Sequence, residues 1–485
     1  FHPGARKSEP KGVIAMDTIL VSNRVAEPSR TGAVSGGLAA VLLSAVKTSG
    51  ATWIGASGKF APAEDVRVPT HSKRLGTGTL TTVDLPVTDY RRFYNGMANS
   101  ALWPILHYRA DFLRYEPEFV ASYRAINRIM ANVVADRVQR DSIVWVHDYH
   151  YFMLGEFLRQ RGFSGPIGFF LHTPFPTKSV LICLPEHRTV LKALSAYDLI
   201  GFQTDEDLLR FRDYATTKLS ATMVGQTELQ FDERRVRLGV FPVGINVDFF
   251  AEAAHANIDS SKISRIKRGL HHGKMVIGVD RLDYSKGLPE RFAAYERFLT
   301  IYPDERKRVS FLQITPPTRS AVDSYRRIRA ELASHAGEIN ARYGDVDWMV
   351  LRYINESFPP DRLAALYRIS KVGCVTPLRD GMNLVAKEYV AAQDPEDPGV
   401  LVLSKFAGAA KELNAALVVN PYDIGELAQA LYRALYMERA ERIERWNAMI
   451  KTLRGGNINR WYDGFLDSLR ESAMASLPVA SRSVA

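Results

Sequence analysis

The chain has 485 residues, room for two or three domains with their own cores, and its 46% hydrophobic and 24% charged residues fit a globular protein. No apolar run approaches the roughly 18 residues of a membrane helix, and the opening FHPGARKSEPKG lacks the apolar stretch of a secretory signal, so neither a membrane nor a secreted protein is expected. The net charge of +10 comes from 63 basic and 53 acidic residues, but these are scattered without a Lys/Arg run of five, which points away from nucleic acid and towards anionic small substrates.

Residues 1–16 read as a flexible arm. Thr18–Ser22 is the first buried strand, with Asn23 and Arg24 at its C-terminal end. Gly36 and Gly37 then enter a helical pattern from about Leu38, a loop that can cradle a phosphate or simply lie on the surface. Ala51–Ala56 is a second strand, and the Thr-, Gly- and Pro-rich run to Asp84 predicts short strands and turns. Tyr90–Tyr108 is dense in aromatic residues and Asn; Tyr94 and Trp103 suit a sugar face or plain core packing.

Glu118–Gln139 has helical spacing and precedes the strand Ser142–Val146, which ends at His147-Asp148-Tyr149-His150. Two His and an Asp so close invite a metal, but their spacing on a strand end splays the side chains, so no metal is expected. Strands at Ile167–Leu171 and Asp198–Phe202 end at His172-Thr173-Pro174 and Gln203-Thr204. Three strands delivering polar residues at their C-terminal ends are what a parallel sheet with an active edge provides.

Val240–Val247, broken by Pro242 and Gly244, reads as a junction, after which strand–helix alternation restarts. The strand Lys274–Val279 leads into Asp280-Arg281-Leu282-Asp283-Tyr284-Ser285-Lys286-Gly287 and a helix from about Pro289. Arg281 and Lys286 bracket that loop and suit a diphosphate, where two cations can take a metal's place. Val309–Thr315 is a strand with Arg319 just beyond it; Tyr325–Tyr343 and Asp361–Ser370 are helices.

Thr376–Gln393, TPLRDGMNLVAKEYVAAQ, is the most informative stretch. It joins the strand Lys371–Val375 to the helix Leu384–Ala392 through a corner of the kind where open α/β sheets bind ligands. Asp380 suits sugar hydroxyls, Gly381 permits close backbone approach, and Glu388 can accept from a ribose diol. A capped strand–loop–helix is the plainer reading of the same residues. Gly399–Ser404 is a further strand and Ile424–Leu453 is strongly helical. Trp461, Phe465 and Leu469 mark a last helix, 456–472, expected to pack back on the first half, and 473–485 reads as a disordered tail.

The expected architecture is α/β, two doubly wound halves at 17–244 and 245–455 facing across a cleft, the default place for a ligand. Cys183 and Cys374 have no CxxC spacing, so a reducing cytoplasm is expected.

Together, SNR at Ser22–Arg24, SGGL at Ser35–Leu38, NxxWPxxHY ending at Tyr108, WVHDYH, FFLHTPFP, GFQT, VDRLDYSKG and TPLRDGMNLVAKEYVAAQ resemble the trehalose-6-phosphate synthases, glycosyltransferase family 20, over roughly 18–470. The resemblance implies the GT-B fold of two Rossmann-like domains. It implies retaining transfer of glucose from a nucleotide sugar, UDP-glucose first, to glucose 6-phosphate. Neither cofactor nor metal is implied; a homo-oligomer, dimer or tetramer, is expected.

It also implies roles. Arg281 and Lys286 hold the donor diphosphate, closed over by Gly36 or Gly37. Asp380 grips the donor glucose, with the backbone of Gly381, Met382, Asn383, Leu384 and Val385 nearby. Glu388 takes the ribose and Phe358 frames the base. Arg24, Tyr94, Trp103, Asp148 and Arg319 form the acceptor site, and His172 lies near the reacting centre, so that Arg281, Lys286, His172 and Asp148 are the expected catalytic set. The chain departs from the family pattern at Lys178-Ser179-Val180 and in the paired prolines Pro359-Pro360, which leaves the base open. A related transferase with another acceptor, and a non-catalytic sugar-phosphate sensor, are the alternatives; the complete set Arg281, Lys286, Asp380 and Glu388 speaks against the sensor.

Overall fold

The computed structural model describes residues 17–25, 37–62, 68–270, 273–319 and 321–475. The expected arm 1–16, Gly36 and the tail from 476 lie outside them, whereas 473–475 continue the last helix, Ile458–Ala475.

The first half builds a ten-stranded sheet from β1 (Thr18–Arg24), β2 (Thr52–Ala61), β3 (Thr70–Leu75), β4 (Gly78–Pro86), β5 (Ile143–His147), β6 (Ile167–Phe170), β7 (Leu199–Phe202), β8 (Thr222–Val224), β9 (Glu228–Phe231) and β10 (Arg234–Val240). Its order is β3-β4-β2-β1-β5-β6-β7-β10-β9-β8, parallel from β4 to β10 and antiparallel at both rims. Every residue of β5, β6 and β7 is buried, so these strands read as unbroken apolar runs rather than alternating ones. The β8–β9 rim was not legible in the sequence, because a short, half-exposed edge carries little apolar signal.

The second sheet contains β11 (Lys274–Val279), β12 (Val309–Ile314), β13 (Leu351–Ile354), β14 (Val372–Val375), β15 (Val400–Ser404) and β16 (Leu417–Val419), all parallel. Its order, β13-β12-β11-β14-β15-β16, is the 3-2-1-4-5-6 arrangement of dinucleotide-binding sheets. The order reverses between β11 and β14 in this sheet and between β1 and β5 in the first. Those are the strands whose following loops carry Asp280–Gly287, Pro377–Asn383 and Asp148, and of which β1 ends at Arg24.

The last helix packs on the first sheet. Phe465 lies parallel to Trp145 at 4.2 Å between ring centroids, and Trp461 sits 4.9 Å from the same ring. β6 and β7 admit it through Gly168 and Gly201, where an added Cβ would stand 2.7 Å and 2.8 Å from the Phe465 ring.

One stretch differs from expectation, and another takes a form that the sequence did not indicate. Ile424–Leu453 is two helices, Ile424–Tyr436 and Arg439–Gly455, separated by extended Met437 and Glu438. No Gly or Pro marks the break; the buried Arg442 holds it, donating to the carbonyls of Met437 (3.1 Å) and Pro398. Arg92–Leu102 is a wide π-helical run, in which Asn99 Nδ2 and Ser100 Oγ donate to the carbonyls five residues back, Tyr94 (2.7 Å) and Asn95 (2.6 Å).

Candidate active site at the seam of the two sheets

The loops at the second switch point are locked to each other by one residue. Arg291, fully buried, pairs with Asp280, donates to Gln313 Oε1 and Thr376 Oγ1 at 3.0 Å each, and reaches the Lys286 carbonyl at 3.3 Å. Gly287, at φ +64°, completes the close approach: a Cβ there would stand 2.3 Å from the Thr376 carbonyl. Lys286 Nζ, thus placed, meets Asp380 Oδ2, which also accepts from Asn383 Nδ2 at 3.0 Å. Asn383, at φ +71°, precedes the helix Leu384–Ala392, whose first N–H groups have no intrahelical acceptor and suit an anion. Arg281 is different. It is exposed, stands 5.7 Å over the Trp103 ring, and makes no hydrogen bond or ion pair with the described residues.

In the first half, Asp148 takes φ +74° as the chain leaves β5, and its Oδ1 accepts from the His172 N–H at 3.3 Å. Burial raises the Asp148 carboxyl to about 6, against the pull of the Tyr149 and His172 N–H groups and of Arg281 and Arg319. The His172 ring is engaged on both sides, Nε2 with His147 Nδ1 at 3.2 Å and Nδ1 with Gln203 Nε2 at 3.4 Å, and burial lowers it to about 3. It is therefore neutral and has no free nitrogen for proton transfer. Arg24 meets the Tyr90 hydroxyl at 3.3 Å and lies 5.9 Å over the Tyr94 ring, which stacks on Tyr90 and His150.

Asp283 joins the halves. Though no part of its side chain is exposed, it accepts from Trp103 Nε1 (3.3 Å), Tyr325 OH (2.8 Å), the Ser285 N–H (2.9 Å) and Arg319 Nη1 (3.1 Å). Arg319, at φ +48°, lies over the Trp103 ring at 3.8 Å and donates to the Tyr149 hydroxyl at 3.1 Å. Desolvation is outweighed by Arg319, His107, the Ser285 N–H and Lys286, which hold the Asp283 carboxyl below its ordinary value, so it stays ionised. Asp283 lies inside the VDRLDYSKG motif, yet its role at the seam was not anticipated, nor were those of Tyr149, Tyr325, Arg291 and Gln203. A second contact joins the halves at Gly381: a Cβ there would stand 2.0 Å from the His172 carbonyl oxygen.

The predicted residues thus fall into three groups. Arg281, Lys286, Asp380, Asn383, Gly381, Trp103, Arg319, Asp148 and His172 converge on the seam. Arg24 and Tyr94 extend that group through His150 and Tyr149. Glu388 and Phe358 both adjoin the helix Pro360–Ile369, where Tyr367 OH reaches Glu388 Oε2 at 3.4 Å and Arg362 covers Phe358 at 4.1 Å. Met382 is 4% exposed, its side chain in the core, while Leu384 and Val385 open the helix and are half-buried. Gly37 begins the helix Gly37–Ser49; Gly36 is outside the described residues. Among the described residues no group of His, Cys, Asp and Glu could hold a metal ion, and no helix is long and apolar enough to cross a membrane.

Burial raises the Glu388 carboxyl from 4.5 to about 7, the Tyr367 hydrogen bond partly opposing it. The unfolded chain ionises this group near 4.5 and the folded chain only near 7, so its contribution to stability is full below 4.5 and declines as pH rises to about 7. Glu388→Gln is expected to flatten that decline in a series of Tm values over about pH 4.5 to 7; an unchanged slope rejects the assignment.

The sequence model of glycosyltransferase family 20 matches residues 14–471. The chain belongs to glycosyltransferase family 20. A relative from Sinorhizobium fredii, named trehalose-6-phosphate synthase, is 46% identical over 94% of this chain and 98% of its own length. A crystal structure of a UDP-forming alpha,alpha-trehalose-phosphate synthase from Burkholderia xenovorans in complex with glucose-6-phosphate is 44% identical, covers 94% of this chain and 100% of that one, and superposes with a TM-score of 0.90. The E. coli protein bound with UDP-2-fluoro glucose is 42% identical, covering 94% and 99%, with a TM-score of 0.89. The family-20 chain thus has the GT-B architecture that its motifs implied, with the switch points of both sheets brought to one seam.

Proposed function

We propose that this chain transfers glucose from UDP-glucose to the anomeric hydroxyl of glucose 6-phosphate, releasing UDP and forming α,α-trehalose 6-phosphate with retention at the donor carbon. The observation that carries the reading is Arg281. Among the described residues it is a cation without an ion-pair partner, over the Trp103 ring and in the same loop as Lys286, whose ammonium meets Asp380, at the switch point of a dinucleotide-type sheet, in a chain of which a relative named trehalose-6-phosphate synthase matches 94%.

In this mechanism the bond from the anomeric carbon to the β-phosphate oxygen breaks while the bond to the acceptor oxygen forms on the same face. The acceptor proton passes to the departing phosphate oxygen, so no protein base is required. Arg281 and Lys286 stabilise the charge that develops on the diphosphate. Asp380, paired with Lys286 and Asn383, orients donor hydroxyls, and the N–H groups opening the helix Leu384–Ala392 add positive potential. Glu388 and Phe358 hold the nucleoside. Trp103, Asp148, Arg319, Arg24 and Tyr94 receive glucose 6-phosphate, the arginines on its phosphate. The unpaired Cys183 and Cys374 suit a reducing cytoplasm.

Nucleotide release with UDP-, GDP- and ADP-glucose, each with and without glucose 6-phosphate, together with the product mass, tests the reading. UDP release that needs the acceptor and yields a disaccharide monophosphate is the expected result. Acceptor-independent release, or none from a folded chain, overturns it.

A further inference from the structure

A chain of hydrogen bonds runs from the donor-side helix through the crossover between the halves to His172. Lys387, fully buried on Leu384–Ala392, donates to the Val243 carbonyl at 2.7 Å and to Glu412 Oε2 at 2.6 Å. The N–H of the same Val243 donates to Gln203 Oε1 at 3.0 Å. A backbone N–H can only donate, so the Gln203 atom it meets is the oxygen, and the amide nitrogen is the atom 3.4 Å from His172 Nδ1. That nitrogen also only donates. Nδ1 therefore accepts, neutral His172 carries its proton on Nε2, and this proton is given to His147 Nδ1 at 3.2 Å. Gln203 is 2% exposed and His147 0%, so water does not compete for these groups.

We propose that Gln203 is a positioning residue for the glucosyl transfer: its amide, oriented by the crossover at Val243, holds His172 as the Nε2–H tautomer with both ring nitrogens committed inside the protein. The proposal rests on the transfer reading above. The ring so held fixes the backbone of His172, whose N–H meets Asp148 Oδ1 at 3.3 Å and whose carbonyl abuts Gly381. One residue thus spaces the acceptor-side and donor-side loops, and spacing is what a transfer without a covalent intermediate depends on. The titratable groups facing His172 are His147 on β5 and Asp148 after it. The last helix presents the Trp461 ring, and the other half presents the Gly381 backbone.

Two variants test it. Gln203→Glu still accepts from the Val243 N–H but offers His172 Nδ1 an acceptor, so Nδ1 must take a proton and the imidazolium is favoured. Gln203→Met removes the donor. Two-bond proton–nitrogen spectra of histidine-labelled protein, with His172 assigned by its loss in His172→Asn, read the tautomer independently of turnover.

The wild type is expected to show His172 as Nε2–H. Gln203→Glu is expected to show Nδ1–H or imidazolium and to gain a pH dependence, with kcat rising as His172 loses its proton. Gln203→Met is expected to lose about tenfold in kcat with little change in donor KM. A wild-type Nδ1–H signal overturns the proposal. So do both variants keeping the wild-type pH profile and kcat within about twofold. A wild type with the Nε2–H signal that transfers no glucose overturns the transfer reading instead.

Discussion

Replacing Arg281 by Ala is expected to lower kcat by about 10²–10³-fold, the range found when a single charge-stabilising donor is removed from a reacting centre. Arg281 is exposed and unpaired with any described protein group, so its removal breaks no internal ion pair, and Asp148, whose carboxyl it pulls down, keeps Arg319 as a cationic neighbour. Tm should therefore stay within about 2 °C of the wild type, as for surface substitutions generally. Lys286 differs in kind. It is 7% exposed and is the partner of Asp380, so Lys286→Met strips a half-buried carboxylate of its cation and should lower Tm along with kcat. Steady-state kinetics beside thermal melts separate the two cases. An Arg281→Ala enzyme that turns over normally removes Arg281 from the diphosphate site.

Gly381→Ala should be as damaging, for a reason of space. The added Cβ would stand 2.0 Å from the His172 carbonyl oxygen and 3.1 Å from the Thr173 carbonyl carbon, backbone atoms that no rotamer can move. Nor can the Gly381 segment retreat the other way, since a Cβ on Gly408 would already stand 1.9 Å from the Gly381 carbonyl oxygen. Overpacking of this sort costs about 1–3 kcal/mol. A displacement of about 1 Å between donor-side and acceptor-side loops costs about 10²-fold in rate. Gly337, in the helix Asp323–Tyr343, is the control: its Cβ would meet nothing within 4 Å, so Gly337→Ala should gain up to about 1 kcal/mol from helix propensity and leave kcat alone. Equal kinetics for Gly381→Ala and Gly337→Ala would show that the seam tolerates the extra atom.

Much of the fold was legible along the chain because parallel strands buried on both faces advertise themselves as short apolar runs. β11 begins and ends where the run Lys274–Val279 does, and the helix Leu384–Ala392 keeps its predicted bounds. The break at Met437-Glu438 was not legible, since what holds it is Arg442 reaching the carbonyls of Met437 and Pro398. The π-helical run was hidden for a similar reason: its side-chain bonds to carbonyls five residues back mimic ordinary polar residues on a helix.

The motifs could name Arg281, Lys286, Asp380, Trp103, Arg319 and Asp148 because loops at strand ends carry their chemistry in residue type. They could not rank them. Asp283 and Asp280 look alike in the same loop. One is the hub where Trp103, Arg319 and Tyr325 meet, and the other is the buried counter-ion of Arg291. His172 and His147 look equally available, yet a bond from Gln203 leaves His172 no nitrogen to offer.

Local order fixed what could be read from neighbours in the chain: periodicity, the strand ends, and the kinds of group delivered there. Partners distant in sequence decided the rest, which carboxylate is ionised, which tautomer a histidine takes and which charges pair. Those properties are set by desolvation against pairing, and a buried charge has its partner only after the two sheets have met.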